Sequence, residues 1–405
     1  MTVPEAHRAV DAVWRLESAR IIAGLARIVR NIDLAEDLAQ DALLAALRQW
    51  PREGIPPNPG AWLMATAKHR AIDRLRRDER LQRNLGHLGR ELQARQETAA
   101  FDGGPEFDED LVPDDLLRLM FVACHPVLST ESRVALTLRL PGGLTTDEIA
   151  RAFLAAEPAI AQRIVRAKRT LASKQIPFEV PPAGERAARM ASVLEVIYLI
   201  FNEGYTATAG GDWMRPGLCE DALRLGRILA ELAPREPEVH GLVALMEIQA
   251  SRSKARLGRS GEPVLLLDQN RALWDHLLIR RGLAAIERAE KLGGPRGPYA
   301  LQAAIAACHA RARTAADTDW ARIASLYAEL ARITPSPIVE LNRAVAVAMA
   351  YGPQAGLDLV DPLASKPSLE GYHLLPAVRG DLLQKLGRTD EARLEFERAA
   401  SLTRN

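Results

Sequence analysis

Apolar residues recur every three or four positions along most of the chain, which is the period of an amphipathic helix. The alternation of apolar and polar residues that is typical of strands is scarce, while Ala, Leu, Arg and Glu are abundant. We therefore predict an all-α protein. Breaks rich in Gly, Pro or acidic residues divide it into predicted domains at 1–85, 114–176 and 186–405, with an acidic linker at 86–113.

The segment 128–172 carries the start and stop signals of three short helices. Ser129 or the threonine after it can cap the first helix, which the sequence PGG at 141–143 ends near Leu140. Thr145 or Thr146, with Glu148 nearby, opens a second helix that we predict to end at Leu154. Pro158 suits the first turn of a third helix. This order of signals is typical of a helix-turn-helix.

The third helix of this segment has two different faces. The apolar positions Ile160, Ile164, Ala167 and Leu171 are predicted to pack inward. The other face carries Gln162, Arg166 and Arg169, flanked by Arg163 and Lys168. Gln and Arg read adenine and guanine in the major groove, and basic side chains neutralise phosphates. The pattern favours binding to duplex DNA; the alternative is a basic amphipathic hairpin within a helical array.

The segment AWLMATAKHRAIDRLRRDER at 61–80 predicts a basic helix. Its inner stripe is predicted to be Leu63, Ala67, Ala71 and Leu75. Its outer face is predicted to be Thr66, His69, Arg70, Asp73, Arg76, Arg77 and Arg80. Trp62 stands at the start of the helix, where it either stacks on an unpaired base or belongs to the core.

An acidic helix precedes this basic one. The segment 31–50 places Glu36, Asp37, Gln40 and Asp41 on one side of a predicted helix. These residues form either a solvated face or a surface that pairs with Arg or Lys of a partner.

The last 220 residues or so predict stacked helical hairpins. Near the end of the chain, the spacing of small and apolar residues is similar to that of a tetratricopeptide unit: Gly380, Leu383, Gly387, Ala392, Phe396 and Ala399. An ordinary helical bundle is the alternative. The segments 201–216 and 261–275 interrupt the helical pattern, and are either ligand-binding loops or simple connections.

The net charge of +1 conceals a strong charge pattern. Two basic stretches, at 68–95 and 158–174, stand on either side of an acidic stretch at 97–117. Because salt screens exposed charges beyond about 8–10 Å, this local distribution matters more than the total. It indicates two separate nucleic-acid-binding surfaces.

Several classes of function lack support in the sequence. Cys124, Cys219 and Cys308 are far apart, and no metal-binding spacing, nucleophile–base set or phosphate loop is visible, so we predict no enzyme activity, metal or cofactor. No apolar run reaches the roughly 18 residues of a membrane span, and the N-terminus lacks the apolar core of a signal peptide. We therefore expect a cytoplasmic protein without membrane contact.

Taken in order, these motifs resemble a known family. The run DLAEDLAQDALLAALRQW, then AWLMATAKHRAIDRLRR, then the helix-turn-helix is similar to the two-domain core of extracytoplasmic-function sigma factors, over roughly residues 5–173. The rest resembles the extension of the subgroup with a C-terminal tetratricopeptide-like domain, in segments such as YLIFNEGYTATAG, LLDQNRALWD and PIVELNRAVAVAMAYGP.

The resemblance implies partners and residue roles. Residues 1–85 correspond to sigma region 2, which binds the β′ clamp helices of core RNA polymerase and the −10 promoter element. Residues 114–176 correspond to region 4, which binds the β flap and the −35 element. The expected polymerase-binding residues are Asp37, Leu38, Gln40 and Asp41. Those expected at the −10 element are Asn58, Trp62, Lys68, His69, Arg70, Asp73, Arg74 and Arg77. Those expected at the −35 element are Ala161, Gln162, Arg163, Val165, Arg166 and Arg169.

The resemblance also suggests how the linker acts: it would thread toward the active-site channel of the polymerase. Residues 186–405 form a large domain on a short Pro-rich tether, so we expect them to dock on the DNA-reading domains and tune their activity. The alternative is that they are needed for activity through a polymerase or ligand contact of their own. The alternative function is a stand-alone helix-turn-helix regulator with a helical sensory domain, which would bind promoter duplex without polymerase. A helical-repeat scaffold whose basic helices are only solvated is a third class.

Overall fold

The computed structural model describes residues 3–89, 112–153, 155–205, 214–258, 262–293 and 296–402. These residues are helical apart from their connections, which confirms the all-α class, and the described ranges hold no β-strand. The chain divides into two compact units, Met1–Leu225 and Gly226–Asn405. The predicted domain limits stay a prediction.

Three long helices open the first unit: α1 (Val3–Val29), α2 (Ile32–Glu53) and α3 (Pro59–Gly89). Asn31 caps α2 by accepting a hydrogen bond from the Leu34 amide, and Gly54, at φ 90°, ends it. The three helices share a core that includes Ile21, Trp50 and Leu63.

Four shorter helices follow: α4 (Val112–Ala123), α5 (Thr130–Arg139), α6 (Thr146–Ala152) and α7 (Glu157–Ser173). Ser129 caps α5, and Thr145 and Glu148 form the two hydrogen bonds of a capping box at α6, as the sequence predicts. The apolar stripe of α7 is buried, which is also confirmed. The helix α6 ends at Ala152, whereas the predicted end, Leu154, lies outside the described residues.

Two more helices continue the chain: α8 (Ala183–Tyr205) and α9 (Pro216–Leu232), within which the unit boundary falls. Polar contacts attach α8 to α4 and α5. The Arg133 guanidinium donates to Ser192 Oγ at 2.7 Å and to Glu195 Oε2 at 2.9 Å. Ser192 Oγ in turn donates to the Cys124 carbonyl at 2.7 Å. The first helix after the Pro-rich break therefore packs with the short helices before it.

The second unit contains helices that pack mainly against their neighbours in the chain. They are α10 (Pro237–Ala250), α11 (His276–Leu292), α12 (Pro298–Arg311), α13 (Trp320–Ile333), α14 (Pro337–Tyr351), α15 (Pro353–Val360), α16 (Leu374–Lys385) and α17 (Thr389–Leu402). Small residues allow close approach: a Cβ at Gly241 would lie 2.6 Å from the Ala300 nitrogen, and one at Gly380 would lie 2.8 Å from the Phe396 ring. Close approach at Gly380 is what a tetratricopeptide-like spacing requires, although the class of repeat stays a prediction.

The two segments that interrupt the helical pattern differ in how far they are described. Of 201–216, residues 206–213 lie outside the described ranges. Within 261–275, Asn270 caps a short 3-10 helix, and Arg271 lies over the Trp274 ring at 4.6 Å and donates to the Ala312 carbonyl at 2.9 Å. These contacts fix the segment to the end of α12, and favour a structural connection over a ligand-binding loop.

Candidate nucleic-acid and polymerase interface

The basic helix α3 divides into a buried and an exposed side along its described side chains. Leu63, Ala67 and Ala71 are fully buried, whereas Leu75 is only half-buried. The side chains that the family resemblance assigns to the −10 element stand on the other side: His69, Asp73, Arg74 and Arg77 are exposed, and Lys68 and Arg70 are half-buried. The face is therefore accessible and mostly cationic, as contact with a phosphate backbone requires.

A capping side chain and an aromatic contact hold the first residues of α3 in place. Asn58 is exposed, and its side-chain oxygen accepts a hydrogen bond from the Ala61 amide at 3.1 Å. Trp62 is half-buried and packs edge-on against the buried Trp50, with ring centroids 5.5 Å apart. Trp62 is thus partly core and partly surface, so the structure supports neither of its two interpretations alone.

Because Asn58 caps α3, its replacement separates a structural role from a DNA-binding role. We expect Asn58→Ala to destabilise the protein by about 1 kcal/mol, since the Ala61 amide loses its acceptor. Asn58→Ser keeps a capping oxygen and should restore thermal stability, which calorimetry measures. If Asn58→Ser is stable and still loses promoter binding, the amide itself contacts DNA. Equal stability of the Ala, Ser and wild-type proteins would contradict the capping role.

The outer face of α7 carries the side chains that the family resemblance assigns to the −35 element. Gln162, Val165, Arg166 and Arg169 are exposed, and Ala161 and Arg163 are half-buried. The Arg166 guanidinium donates to the Gln162 side-chain oxygen at 3.4 Å, so the two polar groups already stand one helical turn apart on a common face. Lys168 lies on a different side of the helix, and its side chain is only 11% exposed.

The acidic helix α2 places its assigned polymerase-binding residues in different surroundings. Asp37 and Asp41 are exposed, Gln40 is half-buried, and Leu38 points into the core. Asp41 Oδ2 lies 3.5 Å from Arg70 Nη1, which joins the acidic surface of α2 to the basic surface of α3. Partial burial and then the neighbouring Asp33 carboxylate raise the pKa of Asp37 above its ordinary value.

Glu36 differs from its neighbours because it is only 3% exposed. Its carboxylate accepts from Arg139 Nε of α5 at 2.7 Å, and lies 2.6 Å from Lys168 Nζ of α7. Lys168 Nζ also donates to Asp33 at 2.7 Å. We call these four side chains the Glu36 cluster. The sequence left two interpretations of this acidic side, a solvated face or a surface that pairs with cations of a partner. The first is wrong for Glu36, because its side chain is buried. Its basic partners belong to this chain.

The Glu36 cluster changes the electrostatics of Lys168. Burial alone favours its neutral form, but the Glu36 and Asp33 carboxylates outweigh that cost and raise the pKa of Lys168 above its ordinary value. The ammonium group is therefore charged at neutral pH and forms ion pairs with two carboxylates of α2.

The first three helices are similar in sequence to a known protein domain. A sequence profile described as Sigma-70 region 2 matches residues 15–81, which hold all of α2 and the exposed basic face of α3. Residues 15–81 therefore carry a sigma-70 region 2 domain. This domain supports a sigma-70 family factor, with a role in binding core RNA polymerase and recognising promoter DNA.

Two further similarities extend beyond the region 2 match. A family of unknown function, DUF6596, matches residues 189–290. The protein is also 45% identical over 400 residues to the uncharacterized protein R00370 of Rhizobium meliloti (strain 1021), which covers 98% of this chain and 93% of that relative. The similarity to this relative therefore spans both the region 2 match and the later helices of this chain.

Among the described helices, none combines the length and apolar character that crossing a bilayer requires. Within the same ranges, no three His, Cys, Asp or Glu side chains are grouped in a way that would hold a metal ion. Most of the acidic linker, from residue 90 to residue 111, lies outside the described residues.

The sequence did not predict that Arg139 contacts Glu36. It placed Lys168 only beside the basic outer face of α7, and not against α2. Arg139 and Lys168 lie 103 and 132 positions from Glu36 along the chain. No local period connects residues so far apart. The one available signal is that Lys168 lies next to the buried Ala167 of the apolar stripe.

Proposed function

We propose that the chain is an extracytoplasmic-function sigma factor whose α3 contacts the −10 element and whose α7 contacts the −35 element. The observation that carries this proposal is the order of the two basic faces. The exposed residues of α3 lie inside the region 2 match, and a helix-turn-helix with exposed Gln162, Arg166 and Arg169 follows it. On this account α4–α7 serve as region 4.

The mechanism is differential binding and needs no covalent step. Core polymerase holds the two DNA-reading domains at the spacing of the promoter elements, so the second contact forms at a high effective concentration. Melting the −10 element costs roughly 1.4 kcal/mol per base-pair step in lost stacking. Capture of an unpaired base beside His69 and Trp62 offsets part of that cost. The protein would do this in the cytoplasm.

We further propose that α2 binds the β′ clamp helices through Asp37, Gln40 and Asp41, and that α4–α7 bind the β flap. The exposure of the two aspartates supports the first contact. Gel filtration of the purified chain with bacterial core polymerase tests both. Co-elution at equal stoichiometry is expected. A chain that binds promoter duplex tightly but does not co-elute would instead be a stand-alone regulator.

The helical C-terminal region is proposed to be tetratricopeptide-like and to tune initiation by docking on the DNA-reading domains. The contacts of Arg133 with Ser192 and Glu195 support this, because they tie α8 to α5. Glu195→Lys places a cation against Arg133 and should loosen α8, whereas Glu179→Lys, at an exposed position before α8, should not. A change in initiation with Glu195→Lys alone is expected in a transcription assay. Equal initiation by both variants would contradict the tuning role.

A further inference from the structure

We propose that the turn between α12 and α13 forms a binding site for a small phosphorylated molecule, in which Arg311, Arg313 and Arg322 bind the phosphate group. The site lies within the second unit and includes none of the residues assigned to promoter DNA or to polymerase. The binding itself does not depend on the proposed function, and its test needs no polymerase. It gives the proposed tuning region a ligand of defined chemistry.

A surface cavity of about 540 Å³ lies where α12 ends and α13 begins. This volume is in the range of small-molecule sites, roughly 300–1,000 Å³, and exceeds what a phosphate ion alone would fill. Besides the three arginines, its lining consists of Asp317, Asp319 and the half-buried Cys308 and Ala312. All of these residues belong to the continuous segment 308–322, so one helical connection builds the whole cavity.

The three arginines of the lining are exposed, and their guanidinium groups make no hydrogen bond or ion pair within the described part of the chain. Other arginines of the second unit are paired: Arg343 lies 2.8 Å from Glu340, and Arg379 lies 2.8 Å from Asp361. Cations gathered round one concave surface create a positive field that the concavity concentrates. A multiply charged oxyanion in the cavity relieves the repulsion among them.

The type and number of these side chains favour a phosphate over a carboxylate. A guanidinium group presents a planar fork of N–H donors that matches two phosphate oxygens, and it is always charged. A carboxylate offers two oxygens and one charge, which a single arginine satisfies. A phosphate monoester offers three acceptor oxygens and about 1.5 to 2 negative charges at neutral pH. Three arginines at one cavity therefore match a phosphate group.

The two aspartates of the lining are engaged by the turn itself. Asp317 Oδ2 accepts from the Thr314 amide at 3.0 Å and from Thr314 Oγ1 at 2.9 Å. Asp319 caps α13 by accepting from the Arg322 amide at 2.8 Å. The second oxygen of each carboxylate can accept from a hydroxyl group, but it repels a further anion. A hydroxylated body attached to the phosphate therefore fits this lining better than a second anionic group.

Buried polar groups that neighbour the lining residues in sequence support an anion site. His309 and Thr318 are 8% and 6% exposed, and within the described ranges His309 Nδ1 and Thr318 Oγ1 make no hydrogen bond. The same is true of the buried Nη2 of Arg271, whose Nη1 donates to the carbonyl of Ala312 in the lining. Burial, followed by the charges of Arg252 and Arg271, lowers the pKa of His309 to about 4. The interior beside the cavity is therefore electropositive too.

Protection of Cys308 from a thiol reagent measures occupancy of the cavity in the full chain. Cys308 is half-buried in the lining, whereas Cys124 and Cys219 are buried, and peptide mass spectrometry reads each cysteine separately. The probes are glucose 6-phosphate, adenosine monophosphate, inorganic phosphate and glucose, each at millimolar concentration and equal ionic strength. We expect a saturating phosphate ester to slow the modification about tenfold or more, phosphate to slow it less, and glucose to have no effect.

Variants assign the protection to the arginines. Arg311→Gln with Arg322→Gln should weaken binding of the phosphate ester by about tenfold or more in isothermal titration calorimetry. Both side chains are exposed, so the fold should persist, which circular dichroism checks. The matched control is Arg235→Gln with Arg332→Gln, two exposed arginines of the same unit outside the cavity, which should keep the wild-type affinity. Arg313→Gln alone serves if the double variant fails to fold.

Several results would overturn the phosphate site. They are failure of both esters to protect Cys308, equal protection by glucose, and equal affinity of the cavity variant and its control. Protection by DNA alone would also overturn it, and would identify the cavity as a nucleic-acid contact. Because neither polymerase nor promoter enters the experiment, failure of this site leaves the proposed sigma-factor function untouched, and failure of that function leaves the site untouched.

Discussion

Replacing Gln162 and Arg166 together by alanine is expected to reduce promoter-dependent initiation by about a hundredfold or more. Each paired contact of such a side chain with a base edge is worth about 1–3 kcal/mol of discrimination, and 1.4 kcal/mol is a factor of ten. Both side chains are exposed on α7, so their loss removes no buried packing, and alanine favours the helix. The fold and the affinity for core polymerase should stay unchanged.

The control for this double substitution uses the same residue types elsewhere. Gln354→Ala with Arg332→Ala changes one glutamine and one arginine that are exposed in the second unit. The measurement is run-off transcription at saturating core polymerase, with circular dichroism to monitor the fold. If the α7 variant initiates as well as this control, α7 does not read the promoter.

Reversing the charge of Asp41 is expected to weaken binding to core polymerase at least tenfold. Asp41 is exposed on α2, and its carboxylate is proposed to meet a basic surface of the polymerase. Asp41→Lys replaces an attraction with a repulsion, and like charges brought together across an interface cost several kcal/mol. It also places a cation near Arg70, from which Asp41 is 3.5 Å away.

The matched control for Asp41→Lys is Glu53→Lys, which reverses one exposed charge at the far end of the same helix. Both affinities are measured by fluorescence anisotropy at two salt concentrations, because screening should reduce the difference between the variants. Equal affinities of the two variants at low salt would show that this part of α2 does not contact the polymerase.

The bounds and caps of α5, α6 and α7 could be predicted closely from the sequence because their signals are local. A capping serine or threonine and the amide it binds are three positions apart, as Ser129 with Ser132 and Thr145 with Glu148 show. The apolar stripe of α7 repeats with the period of the helix itself. The exposed face opposite that stripe could therefore also be predicted from the sequence.

The Glu36 cluster could not be predicted for the opposite reason. On a helical wheel Glu36, Asp37, Gln40 and Asp41 form one acidic side, and the pattern does not distinguish a buried carboxylate from a solvated one. Burial of Glu36 depends on how α5 and α7 pack against α2, which is a tertiary property. The same limit explains the attachment of α8 to α5, where Arg133 and Glu195 are 62 positions apart.

The central claim is that the protein directs core polymerase to promoters. The most direct test is transcription from genomic DNA of the source organism by purified core polymerase, with and without the protein. The RNA 5′ ends are then mapped. The account predicts a small set of new start sites, each preceded by two sequence elements at a fixed spacing, that disappear when Gln162 and Arg166 are replaced. Start sites identical to those of core polymerase alone, obtained with folded protein that binds duplex DNA by itself, would contradict it.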